Sequence, residues 1–249
     1  MKRIAIINVG SNASHLPIQS PLFGDGRFEF VPIPEQSKGI SKDPNSMNLP
    51  RYSDLMSFNV PEDRLARFIP QRKLGLRVHN DPEFETYTYA DYPTRSPRSV
   101  NLMKLEPMDY LFFIARLAGW KAGRFTGEAG FFLIGYLEIE EILRDATEPP
   151  GSENFEKNAH VRRARLNPIY WDGFWAFRGS KNSRRFVRAF PFTRAFATQV
   201  MRDKNGLPWR WGAHRSDLQV IGSYTRSCRI MPSESTEEFW KALKGARVT

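Results

Sequence analysis

Two apolar runs, Tyr110 to Leu117 and Phe131 to Ile139, stand out from a chain whose hydrophobic residues otherwise alternate or scatter. The segment between them is punctuated by Gly119, Gly123, Gly127 and Gly130, which predicts two paired strands joined by a long flexible connection, at the centre of a sheet. The first run is apolar at both alternating sets of positions, the mark of a strand buried on both faces. The second keeps Phe131, Leu133, Leu137 and Ile139 on one face and puts Glu138 and Glu140 on the other, as in a half-solvated strand. A short buried helix is the alternative for Tyr110 to Leu117, because periodicity does not separate the two in so short a run.

The rest of the chain supplies the surroundings of this pair. Residues 2 to 9 predict an opening strand, and Gly24, Asp25 and Gly26 ahead of the alternating Phe28, Phe30 and Ile33 predict a hairpin-like turn. Pro32 and Pro34 end regular pairing, and residues 35 to 50 read as an exposed loop. Short helices are expected at 53 to 58 and 61 to 69, the second with Pro61 in its first turn and Leu65, Phe68 and Ile69 on one face. Pro149, Pro150, Gly151 and Ser152 mark a loop or weak subdomain boundary within 144 to 160, in what otherwise reads as one domain over 1–249. Residues 205 to 216 form a further loop, 218 to 222 and 224 to 230 suit closing strands, and Ser235 with Glu238 predicts a capping box. The helix it opens buries Phe239, Trp240 and Leu243 and ends at Gly245. The expected class is α+β, with a mixed or barrel-like (PUA-like) sheet and peripheral helices.

Composition, 41% hydrophobic and 26% charged over 249 residues, is that of a globular protein able to bury a core. No apolar run approaches the roughly 20 residues of a membrane span, and the start reads as a strand instead of a signal peptide, so a cytoplasmic protein is expected. The lone Cys228 cannot form an internal disulfide or a cysteine-based zinc site. The net charge of +10 is unevenly spread: residues 155 to 229 hold thirteen Arg and three Lys against four acidic residues, a net of +12, whereas residues 1 to 150 carry −1. Arginine's planar fork suits phosphate, so a polyanion such as nucleic acid is the expected partner, with no membrane role and an oligomeric state the sequence leaves open.

Candidate chemistry falls in two places. From 161 onward arginines interleave with aromatics, and Arg162, Arg163, Arg165, Arg178, Lys181, Arg184, Arg185, Arg210 and Arg215 are candidate phosphate contacts. Trp120, Tyr170, Trp171 and Trp175 are candidates for a base pocket; alternatively these rings are core residues and the arginines a solvated face. Residues 179 to 183 lack the spacing of a P-loop, so nucleotide hydrolysis is not supported. The string from His79 to Asp91 is the second place. Asp81 before Pro82 and Glu83 has the form of a helix N-cap with proline at the first position. The competing reading groups His79, Asp81, Glu83, Glu85 and Asp91 as acid/base or metal groups. No HExxH-like spacing is present, so no metal and no cofactor is assigned.

GDGRFEFVPIPE (24 to 35), HNDPEFETYTYAD (79 to 91), LFFIARL, FFLIGYLEI and FRGSKNSRRFVRAFPF (177 to 192) together resemble the nucleotide modification associated domain family, third type. The resemblance covers most of the chain in motif order, with Ala90 standing where the family pattern has glycine. It implies association with systems that make or handle modified DNA bases, and no particular reaction. The LFFIA strand, Gly-containing loop and IGYLEI strand are also similar to the PUA-like group, including EVE and YTH domains, small β-barrels that hold an extruded base between aromatic rings. The expectation is a nucleic-acid-binding protein associated with DNA base modification that recognises a modified or flipped base. The alternative is an enzyme modifying a nucleobase or nucleotide through His79, Asp81, Glu83 and Asp91, which requires those side chains to converge in one cleft near the basic surface.

Overall fold

The computed structural model describes residues 2–10, 15, 17–36, 49–60 and 62–246. Its centre is a long antiparallel pair, β6 (Tyr110–Lys121) and β7 (Arg124–Ala146), flanked by β1 (Ile4–Val9), β2 (Ser20–Leu22), β5 (Thr88–Asp91), β8 (Phe174–Gly179), β9 (Arg184–Pro191) and β10 (Arg229–Ile230). The sheet runs β10-β1-β6-β7-β8-β5, with β2 added beside β6 and β9 beside β7. It is mixed, since β1 and β2 lie parallel to β6 and the other pairs are antiparallel. The α+β class holds, and the sheet stays open instead of closing as a barrel. A two-stranded piece, β3 (Ile33–Pro34) with β4 (Val78–His79), and four helices lie at the periphery: α1 (Ala159–Leu166), α2 (Arg194–Val200), α3 (Asp217–Tyr224) and α4 (Thr236–Gly245). Among the described residues, no helix is long and apolar enough to cross a membrane.

The apolar runs are strands, and Leu111 to Ala115 are all buried, pairing with β1 on one edge and β7 on the other. The expected long connection does not exist. Both strands continue to a two-residue turn of Ala122 and Gly123, each at positive φ (50° and 78°), the backbone a tight hairpin requires. The glycines serve the sheet instead of a loop: Gly119 lies at the register shift between Ala118 and Trp120, and Gly127 takes φ 87°. Gly135 is compelled by proximity, since a Cβ there would stand 2.5 Å from the Arg184 carbonyl oxygen. There β7 changes partner, pairing with β9 through Phe132–Tyr136 and with β8 through Ile139–Ala146. Residues 144 to 160 therefore begin inside the sheet.

Glu138 departs from the solvated face expected of it. It is 5% exposed, and its carboxylate accepts from Lys2 Nζ (2.9 Å), Tyr110 Oη (3.0 Å), Ser180 Oγ (2.8 Å) and Asn182 Nδ2 (2.7 Å). Glu140 is exposed as expected.

Residues 218 to 222 are helix α3, not a strand. Ser216 and Gln219 form a reciprocal capping box ahead of buried Val220 and Ile221, and that local signal overrides the β-branched composition. Of the segment 224 to 230, only Arg229–Ile230 pairs, against Ala5 and Ile6. The capping box expected at Ser235 is not formed; Ser235 itself has helical backbone (φ −88°, ψ −6°) and ends a short 3-10 turn, so its hydroxyl does not face the first-turn amides. The helices expected at 53 to 58 and 61 to 69 shrink to single 3-10 turns, Tyr52–Asp54 and Leu65–Phe68. Pro61 and residues 37–48 of the expected loop lie outside the described residues.

Candidate functional site

A cleft of about 910 Å³ opens beside the carboxyl end of β1. Asn8, Val9 and Gly10 form its floor, β4 and β5 contribute His79, Tyr89 and Asp91, β6 contributes Arg116, α1 contributes His160, and α3 forms the opposite wall through Leu218, Gln219 and Gly222. Local structure fixes each polar group. Asp81 follows β4 in a tight turn closed by its N–H on the His79 carbonyl (3.0 Å), and its Oδ2 accepts from the Ala90 N–H of β5 (3.0 Å). His160 sits in the first turn of α1, where the Asn158 side chain caps the N–H groups of His160 and Val161.

These placements build a ring of five side chains. Glu35 Oε2 lies 3.2 Å from His79 Nδ1; His79 Nε2 lies 3.9 Å and His160 Nε2 3.6 Å from Asp81 Oδ2. Arg163 Nη2 reaches His160 Nδ1 at 3.0 Å, and its Nη1 stands 3.9 Å from Glu35 Oε1. The imidazoles meet edge to face with centroids 4.7 Å apart. Burial dominates the electrostatics. It raises the Asp81 pKa well above the usual carboxylate range, with the Ala90 N–H opposing it. Burial, and then the neighbouring His79 and Arg163, hold His160 well below the usual imidazole range, so that it is neutral at pH 7. Tyr89, whose hydroxyl donates to Asp91 Oδ2 at 3.0 Å, is likewise raised by burial and by Asp91.

The cleft is also lined by cations. Arg98, Arg116, Arg215 and Arg226 line it, and none of the four is in an ion pair among the described residues. Partial burial lowers the pKa of Arg116, although a guanidinium stays charged at neutral pH. Guanidinium forks and acid/base groups thus line one cleft, a combination suited to an anionic ligand.

Residues 3–217 match the family model described as nucleotide modification associated domain 3. The chain belongs to this family. No curated protein and no solved structure matches it. The region matched to the nucleotide modification associated domain 3 model contains His79, Asp81, His160 and Arg116 and ends at the first residue of α3, before Arg226.

Of the acidic-string candidates, His79, Asp81 and Asp91 face the cleft. Glu83 does not: it is the residue that caps the turn, accepting from the N–H groups of Glu85 and Thr86, while Asp81 precedes no helix. The arginine candidates divide. Arg163 is buried in the ring and packs on Tyr170 at 5.0 Å, and Arg215 lines the cleft. Arg165 pairs with Glu156, Arg178 with Glu140 and Glu141, and Arg185 with Glu29, while Arg162 donates to the Glu156 carbonyl. Lys181, Arg184 and Arg210 are exposed outside the cleft. The aromatic candidates also lie away from it: Trp120 packs on Phe68 and Phe125, Trp171 stacks on Phe174, and Trp175 is buried with its indole N–H on Asp145. Missed from sequence were His160, Glu35, Arg98, Arg116 and Arg226. Arg116 had a usable signal, a single cation inside the apolar run LFFIARLA; His160, 79 positions after Asp81, had none.

Proposed function

We propose that this protein binds a nucleotide in the cleft and modifies it there. Arg98, Arg116, Arg215 and Arg226 hold the phosphate, and the His79–Asp81–His160 cluster acts on the base or sugar. One observation carries the reading: four arginines without ion pairs among the described residues share a cleft with a buried, convergent cluster of two imidazoles and a carboxylate. A nucleotide phosphate, free or within a strand, supplies the negative charge and the paired acceptor oxygens that match such forks. Membership of the nucleotide modification associated domain 3 family supports the substrate class. The net of +12 over residues 155 to 229 favours a nucleotide still carried by a DNA strand, whose flanking phosphates would engage exposed cations such as Lys181, Arg184 and Arg210.

Calorimetric titration with a 2′-deoxynucleoside monophosphate, the matching nucleoside and a short single-stranded DNA tests this at two salt concentrations. Nucleotide should bind at least about tenfold more tightly than nucleoside, since each charge-assisted contact contributes roughly 1.5 kcal/mol. Arg116→Gln and Arg226→Gln should each remove about that factor for the nucleotide and leave the nucleoside unchanged. DNA affinity should fall as salt rises. Equal affinity for nucleotide and nucleoside, or indifference to both substitutions, would sink the reading.

A further inference from the structure

We infer that His79, Asp81 and His160 form a binding site for one divalent first-row transition metal, open on one side to the cleft. The inference deepens the reading of the cleft by naming what the cluster holds, yet metal uptake needs no nucleotide.

One ligand atom from each of the three residues lies within 4.8 Å of the others. The separations of Asp81 Oδ2 from His79 Nε2 (3.9 Å) and from His160 Nε2 (3.6 Å) are too long for hydrogen bonds. They suit donors that each reach one ion at about 2.0–2.2 Å. A second observation points the same way. Asp81 is 7% exposed and its Oδ1 has no hydrogen-bond partner, a costly state for a buried carboxylate unless a cation meets it. Glu35 adds a third: as the acceptor at His79 Nδ1 (3.2 Å) it puts the ring proton there and leaves Nε2 as a lone pair directed at Asp81. Carboxylates commonly orient metal-binding histidines in this way.

The donor set decides the kind of ion. Two imidazoles and one carboxylate favour Zn²⁺ or Fe²⁺ over Mg²⁺, which prefers an all-oxygen, largely hydrated shell. Three protein ligands leave room for a water or a substrate atom on the cleft side. Arg163 then acquires a definite role. Its Nη2 donates to His160 Nδ1, which places the proton of the neutral ring on Nε2, where it blocks coordination. Metal entry moves that proton to Nδ1 and turns Arg163 toward Glu35 and the Tyr92 hydroxyl, both of which it already approaches. Arg163 is thus a positioning residue that opposes metal uptake.

The test uses the full chain, stripped with a chelator and dialysed, titrated with Zn²⁺ or Mg²⁺ alone in a calorimeter. Co²⁺ serves as an optical probe of coordination. The expected result is one Zn²⁺ per chain, no saturable Mg²⁺, and an affinity at least about 100-fold lower in folded His79→Ala and His160→Ala. Glu128→Gln, an exposed carboxylate outside the cleft, should keep Zn²⁺ affinity within about threefold. Arg163→Gln, whose amide oxygen accepts from Nδ1–H, should bind more tightly, and weaker binding would overturn the role given to Arg163. Should His160→Ala fail to fold, X-ray absorption on the Zn²⁺-loaded natural sequence reads the same ligands, two imidazoles at about 2.0–2.1 Å. Absence of saturable Zn²⁺ uptake, uptake indifferent to both folded histidine variants, or a shell without imidazole overturns the site. Metal uptake without nucleotide affinity would refute only the nucleotide reading, and the converse only this one.

Discussion

Replacing Glu138 by Gln isolates a single carboxylate on which four donors converge. Lys2 and Tyr110 donate to Oε1, Ser180 and Asn182 to Oε2, so the group ties the segment leading into β1, β6, β7 and the β8–β9 turn together. The amide that replaces the carboxylate would keep one acceptor oxygen and present an NH₂ to the other two donors, losing two hydrogen bonds and the attraction to Lys2. In the folded chain these donors, Lys2 foremost, lower the Glu138 pKa from 4.5 to about 2. That difference corresponds to on the order of 3 kcal/mol. Lys2 is 42% exposed, and solvent screening of its charge reduces the figure to roughly 2 kcal/mol. Because the folded pKa lies below the unfolded one, this stabilisation is complete above about pH 4.5 and is lost as pH falls toward 2. Urea unfolding followed by circular dichroism, on the natural sequence and Glu138→Gln, measures it directly. The variant should be about 2 kcal/mol less stable at pH 7, and the gap should narrow steadily between pH 4.5 and 2. A gap below about 0.5 kcal/mol at pH 7, or one that does not change with acid, would refute the reasoning.

Asn158→Ala removes the side chain that caps the His160 and Val161 N–H groups; it should cost about 1–2 kcal/mol in urea unfolding and loosen His160, read as line broadening of its imidazole resonances. Gly135→Ala forces a methyl group to within 2.5 Å of the Arg184 carbonyl and 2.8 Å of the Phe84 ring, so a loss of about 1–3 kcal/mol is expected. Unchanged thermal unfolding of that variant would show that β9 yields where the geometry says it cannot.

The β6–β7 core was legible because burial on both faces leaves no polar residue in LFFIA, a pattern that survives any context. Its glycines misled, because sequence alone does not distinguish a glycine that opens a loop from one at a bulge or beneath a crossing backbone such as Gly119 or Gly135. Glu138 and Glu140 look alike in the string, yet only Glu138 meets Lys2, Ser180 and Asn182, and those partners come from 42 to 136 positions away. The acidic string around His79 was readable as a cluster of carboxylates with an imidazole, and its His79, Asp81 and Asp91 line the cleft. The proximity of His160 was not readable, since the two histidines lie 81 positions apart and meet only in the tertiary structure. The basic segment was counted correctly as charge, but the sequence did not show which arginines would be neutralised by Glu29, Glu140, Glu141 and Glu156.

The way β1 is held has one more consequence. This strand floors the cleft while lying between β6, paired over Ile4–Val9, and β10, paired at Arg229–Ile230, so a segment from each extremity of the described chain must dock before the floor is complete. Such wide separations slow folding and leave no autonomous fragment that retains the cleft. A ligand of the cleft would therefore recognise only the fully assembled molecule, and by mass action its arrival would strengthen the entire fold.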